Sequence, residues 1–291
     1  MKPIPGGSVI ERTGLPELSP SGTIVLVLPP TQHPSPLDVI LYEHPLNERI
    51  RTLLRLEYLF DKANHHRAGE TQWDARASLD SLFELADIAG RAELRTELIK
   101  ELERHTAALT PLMQRPGVDT RVLEEVLTNL GMLTSKLSSE SGHHFSAVKD
   151  HEMLGALRQR NAIPGGTCAF DLPGFHRWLQ SSLPERNRHL DQWFAGLEPV
   201  RSATQTLMGL IRQSATATKE TAAEGFYQAE LDSERPFQLV QVRLPRSVPY
   251  FPEISGGRHR FTIRFLRQSD FAARPNQVDR DIVFELTRCI I

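Results

Sequence analysis

At about Gly225 the spacing of apolar residues in this chain changes from every third or fourth residue to every second. One stretch is therefore patterned for helices and the next for strands. In the first, Leu46, Ile50, Leu53, Leu54 and Leu56 recur at helical spacing, which predicts a helix from Glu43 to about Asn64. A second helix fits Trp73 to Ala89, with Leu79, Leu82, Phe83 and Ala86 on one stripe and Gly90 as its stop. A third covers Ala92 to Gln114 and ends before Pro116-Gly117. Asp119 is placed to cap a fourth, through Val122, Leu123, Val126, Leu127, Leu130 and Leu133. A shorter helix is expected over Ser146 to Arg160, and a long pattern over Glu185 to Ser214 with a bend at Pro199. In the second stretch Phe237–Arg243 and Asp281–Thr287 have strand composition, and His259–Leu266 alternates most cleanly. There Phe261, Ile263 and Phe265 point one way, while Arg260, Thr262 and Arg264 point the other. The expected class is α+β: an N-terminal multi-helix domain over residues 37–223, then a small antiparallel β domain over residues 224–291 carrying an Arg-lined strand.

Residues 1–36 differ from both stretches. They hold eight of the twenty prolines, which remove backbone donors and fix φ, so a Pro-rich extended tail is expected. Within it Thr23–Leu28 has strand composition, but the pattern reveals no neighbouring run for it to pair with. The apolar run Ile24–Leu28 is far short of the ~20 residues that a membrane helix needs. Lys2 is not followed by an apolar stretch, and two cysteines, Cys168 and Cys289, make no disulfide framework. A soluble protein of the reducing cytoplasm, with no membrane association, is the expectation.

Catalytic signatures are missing. There is no Gly-x-Ser-x-Gly elbow, no Walker-type phosphate loop and no strand–Gly-x-Gly-x-x-Gly–helix unit. Ile163-Pro164-Gly165-Gly166 lacks the lysine and hydroxyl that would hold phosphate, and reads as a tight turn. Adjacent histidines on a helix point about 100° apart, so His65-His66 and His143-His144 are poor chelators. Cys168, beside Phe170, reads as a buried inert thiol. Glu124-Glu125 falls at surface phase. No enzyme activity, cofactor or metal is expected.

Charge carries more information. The chain has 34 Lys+Arg against 36 Asp+Glu, but residues 235–291 contain ten arginines, no lysine and five acids. This segment is therefore +5, and the first 234 residues, with 24 basic and 31 acidic residues, are −7. Arginine's planar fork grips carboxylates in two places, which suggests recognition, although arginine also decorates solvated sheet faces. If the strand near residue 260 begins two residues early, Arg258, Arg260 and Arg264 form a line ~20 Å long. Such a row suits an anionic partner, either an acidic peptide or a nucleic-acid strand. Single-strand binders interleave aromatics with basic residues on one face. On this strand the aromatics have the opposite parity, which favours a peptide; a nucleic-acid-binding module is the alternative. Either requires that internal carboxylates do not consume these guanidinium groups.

The stretch Glu43-His44-Pro45-Leu46-Asn47-Glu48-Arg49-Ile50-Arg51-Thr52-Leu53-Leu54-Arg55-Leu56-Glu57 resembles the opening of the ZapD family of bacterial cell division proteins. Further matches follow in order: Leu94–Leu102, Pro116–Asp119, Arg158–Arg160, Ile163–Gly166, Phe170–Pro173 with His176 and Trp178, Leu210–Ala215, Gly225–Gln228, Pro252–Gly256 and Arg260–Phe265. The resemblance implies a cytoplasmic homodimer at the mid-cell division site. It also implies binding to the short acidic and apolar C-terminal tail of the tubulin-like protein FtsZ, and bundling of FtsZ filaments that promotes Z-ring assembly and septation. On the residues of this chain it implies a basic tail-binding surface at Arg260 and Arg264 with Arg258 beside them, and weaker candidates in Arg91 and His176. Arg55, Arg158 and Arg212 either join that surface or bond helix termini and buried carboxylates. The 42 residues before the opening motif have no counterpart in the family's usual start, and the region around His143-His144 also departs from it.

Overall fold

The computed structural model of the protein describes residues 38–139, 151–232, 234–270 and 272–290. The expected tail over residues 1–36 and the pair His143-His144 lie outside the described residues. The first described element is a strand: Val39–Pro45 (β1). The sequence pattern predicts helix from Glu43, but Pro45 closes the strand and Asn47 caps the helix, its side chain accepting from the Ile50 amide at 3.1 Å. Helix α1 then runs Glu48–Arg67.

The helices follow the apolar stripes closely. α2 spans Gln72–Ala89, opened by a capping box in which Thr71 and Asp74 satisfy each other's backbone amides. α3 spans Ala92–Leu109 and tightens into a 3-10 turn over Thr110–Gln114. α4 spans Thr120–Ser139, and Asp119 Oδ1 accepts from the amides of Arg121 and Val122, as its position suggested. After α5 (Glu152–Asn161) comes the seven-residue α6 (Pro173–Leu179), too short for a periodic signal. The expected long helix is split: α7 (Leu183–Phe194), a 3-10 turn over Ala195–Leu197, and α8 (Glu198–Gln213). Pro199 sits in the first turn of α8, where its missing donor does no harm. Leu56, Leu82, Leu85, Leu98, Leu102, Leu130 and Ile211 form the centre of one core.

Seven strands follow: β2 (Thr218–Ala222), β3 (Phe226–Glu230), β4 (Leu239–Pro245), β5 (Tyr250–Gly256), β6 (Arg260–Arg267), the two-residue β7 (Asn276–Gln277) and β8 (Ile282–Cys289). The architecture is α+β, helices followed by antiparallel sheets, with β1 returning across the chain to the later strands. One sheet has the order β1-β4-β8-β2 and the other β3-β6-β5, with β7 on β6. Val240, Val242, Phe261, Ile263, Phe265, Phe284 and Leu286 fill the space between them. Leu239 and Cys289, on the opposite face of the first sheet, pack into the helical core instead. Burial, and then the nearby Glu43 carboxylate, push the Cys289 thiol up to about 12.

The two sheets meet where β2 turns into β3. Glu224 and Gly225 have φ of 47° and 71°, the paired left-handed geometry of a two-residue hairpin turn. A Cβ on Gly225 would stand 2.3 Å from the carbonyl oxygen of Val278. Gly225→Ala should therefore lower the urea-unfolding free energy by about 2 kcal/mol or more, because a strained φ and a backbone clash coincide.

A buried ionic group lies in the helical core. Glu101 is 2% exposed and is neutralised by Arg49, whose Nε lies 3.3 Å away, and by Arg104. His105 is fully buried, its Nδ1 2.8 Å from the Glu101 carbonyl oxygen, and burial pushes the imidazole down to about 4. It stays neutral in the fold, whereas the unfolded chain takes up a proton below about pH 6.5. The stability it contributes is complete above that pH and is lost as pH falls toward 4. Urea titrations at pH 7 and pH 4 should show a decrease of roughly 3 kcal/mol from this group, and His105→Leu should flatten that slope.

Candidate functional site

Strand β6 displays the expected alternation. Phe261, Ile263 and Phe265 are fully buried, while Arg260 and Arg264 are exposed on the outer face. The strand begins at Arg260, however, not two residues earlier. Arg258 lies in the hairpin turn between β5 and β6, where the Gly257 amide donates to the Arg260 carbonyl oxygen at 3.0 Å. It stands beside the row without continuing its two-residue repeat.

Neighbouring strands complete the face. Arg264 lies between Phe226 of β3 and Glu253 of β5, Thr262 between Gln228 and Ser255, and Arg260 opposite Glu230. Leu266 lies opposite Phe251. Two aromatics therefore share the arginine face, and Phe226 is 41% exposed there. Parity along one strand concealed this, because cross-strand partners come from distant parts of the sequence. Arg264 bonds Glu253, and both side chains remain about half exposed, at 53% and 51%. An exposed pair of this kind contributes little and can be exchanged. Arg258 and Arg260 form no ion pair among the described residues.

The other candidates stand on the helices. Arg158 on α5 bonds Asp87, near the end of α2 and four residues before Arg91, so these two arginines sit at the α2–α3 corner. Arg91 is exposed and makes no side-chain cap. His176 is exposed on α6 and Arg55 on α1. No hydrogen bond or ion pair joins any of them to β6 among the described residues. Cys168 is not buried: its thiol donates to the Gly165 carbonyl oxygen at 2.6 Å, and the neighbouring Phe170 is 83% exposed. His66 faces Asp74 at 3.5 Å, and no group of three or more potential metal ligands occurs among the described residues.

Arg212 on α8 is committed to the interior. Its Nε donates to Glu43 Oε1 at 2.9 Å, Nη2 to Glu43 Oε2 at 2.8 Å, and Nη1 to Glu57 Oε1 at 2.6 Å. Gln241 of β4 adds a bond to Glu43 Oε1 at 2.8 Å. Burial alone would raise the Glu43 carboxyl, but the bonds and charge of Arg212 hold it below the usual range. One guanidinium thus ties α8 to both β1 and α1. Arg212→Ala should lower the unfolding free energy by roughly 3 kcal/mol, since two carboxylates lose their partner. Arg212→Lys should recover less than half in the same denaturation assay, because an ammonium cannot fork to both.

Fold and face together define an α+β protein with an arginine-and-aromatic sheet surface, and no described helix is long and apolar enough to cross a membrane. The family model for ZapD, a cell division protein, matches residues 54–264. Among curated proteins, the cell division protein ZapD of Methylococcus capsulatus (strain ATCC 33009 / NCIMB 11132 / Bath) is 39% identical over 252 residues, covering 87% of this chain and 98% of that protein. The chain belongs to the ZapD family of cell division proteins.

Proposed function

We propose that this protein binds the C-terminal tail of FtsZ in the cytoplasm and, as a homodimer, cross-links FtsZ filaments at the mid-cell division site. The observation that carries this reading is the outer face of β3-β6-β5, where, among the described residues, Arg260 has no ion pair and Arg264 is held by one exposed carboxylate. Phe226 and Phe251 supply apolar ground beside them. An extended peptide with acidic and apolar residues matches both features: its carboxylate displaces Glu253 from Arg264, and its side chains rest on the phenyl rings. Two such faces on a two-fold particle hold two filaments. Arg258 extends the basic rim; Arg91, Arg158, His176 and Arg55 would contribute from the helical part, with Arg158 first released from Asp87.

The shared face also gives the nucleic-acid reading a specific support, since single-strand binders stack bases on such aromatics. Glu230 and Glu253 flank the row, however, and would repel a phosphate backbone laid along it. A filter-binding titration decides between them, because submicromolar oligonucleotide affinity with a steep salt slope belongs to the nucleic-acid reading alone.

Co-sedimentation with polymerised FtsZ tests the preferred reading. Arg260→Glu/Arg264→Glu should lose at least about tenfold in affinity, the equivalent of about 1.4 kcal/mol, while remaining folded. Binding should also decline as salt is raised past the physiological range, where exposed charges are screened within ~8 Å. Unchanged bundling by the double variant would reject this face.

A further inference from the structure

We propose that Glu253 is the specificity-determining residue of the arginine face, a built-in carboxylate that an acidic peptide replaces like for like and that rejects a nucleic-acid strand. This role rests on the tail-binding reading given above. The two arginines of β6 have different flanks. Arg264 lies between Phe226 of β3 and Glu253 of β5, and it bonds the Glu253 carboxylate. Arg260 lies between Glu230 of β3 and the Gly257 backbone, where a Cβ would meet open space. Pro252, just before Glu253, is buried opposite Phe265. Its ring fixes φ at that point, so a firm strand presents Glu253 on the outer face.

An incoming peptide carboxylate exchanges one ion pair for another at Arg264. The number of pairs there does not change, and Glu253, already half in water, completes its hydration when released. Breaking an exposed pair of this kind lowers the affinity only a few-fold. The apolar residues beside the peptide's acid bring no charge near the released Glu253. They settle instead on Phe226 and Phe251, which share the face.

A nucleic-acid strand fares differently, because its charges recur without interruption. Arg260 and Arg264 are four residues apart, or ~13 Å at ~3.3 Å per residue. Phosphates spaced about 3.4 Å along a strand fill that interval with further charges. Thr262, which occupies the interval on β6, offers them no cation. Glu253 lies one strand spacing to the side, about 4.8 Å, so several of these phosphates fall within its ~8 Å screening distance. Each adds to the repulsion, and none replaces the carboxylate like for like. Discrimination between two anionic partners needs such repulsion against one as well as attraction for the other.

Fluorescence anisotropy on the full chain tests this with two probes, a labelled peptide of the FtsZ C-terminal tail and a labelled single-stranded thymidine oligonucleotide. Glu253→Gln keeps the shape of the side chain and removes its charge. The variant should bind the peptide about twofold to fivefold more tightly than the native chain does. The oligonucleotide should tighten at least about tenfold at low salt, so the preference for peptide falls. A merely structural role for Glu253 would move both probes together. Equal tightening of the two, no change in either, or weaker peptide binding would therefore overturn the proposal. Arg260→Glu/Arg264→Glu separates this failure from that of the underlying reading. Undiminished peptide binding by that double variant would overturn the tail-binding reading and this role with it. Peptide binding lost in the double variant, with the native preference intact in Glu253→Gln, would overturn this role alone.

Discussion

Arg212 grips Glu43 and Glu57 at once, and the helical and strand parts of the molecule depend on that grip for their alignment. β1 delivers Glu43 and the helix that follows it delivers Glu57, so one guanidinium fixes the direction in which the chain leaves the sheet. Around it the junction is polar and largely hydrogen-bonded, with Gln241 Oε1 left buried without a partner among the described residues. Asn47 donates to Gln238 at 2.8 Å, and Ser214 Oγ accepts from the Ile290 amide at 2.9 Å. Leu239 and Cys289 seal the same junction with apolar contact. Such a junction favours one geometry, because each buried polar group needs its particular partner.

The arginines of this chain divide according to how exposed their carboxylate partners are. Arg212 faces carboxylates only 17% and 20% exposed, and its bonds are part of the fold. Arg264 faces one that is half in water, and its bond is exchangeable. In the sequence both are arginines flanked by uncharged residues, Ile211 and Gln213 for one and Ile263 and Phe265 for the other, and spacing alone does not separate them. Depth does, because desolvation determines whether removing a charge leaves another stranded.

Much of the helical part was legible. Asp119 as a cap, the apolar stripe of the helix over Gln72–Ala89 and the buried parity of Phe261, Ile263 and Phe265 all follow from local periodicity. What escaped was non-local or short. β1 is seven residues long, and its partner β4 lies some two hundred residues away, so its first half carries no local signal and its second half merges with the helical spacing that follows. The strand Thr218–Ala222 is largely exposed and polar, which hides alternation. The face around Arg264 was half visible: the arginines are on one strand, but Phe226 and Glu253 reach it only through pairing.

The strand order has a consequence for biogenesis. β4 lies between β1, near the start of the described chain, and β8, at its end. Asn47 must wait for Gln238, 191 residues later, before its side chain finds its partner. At about 5–20 residues per second of synthesis, that is roughly 10–40 s during which the helices are made while β1 still lacks its β4 partner. The sheet can be completed only after its final strand has cleared the ribosome, so the helical part must hold its own shape through that interval.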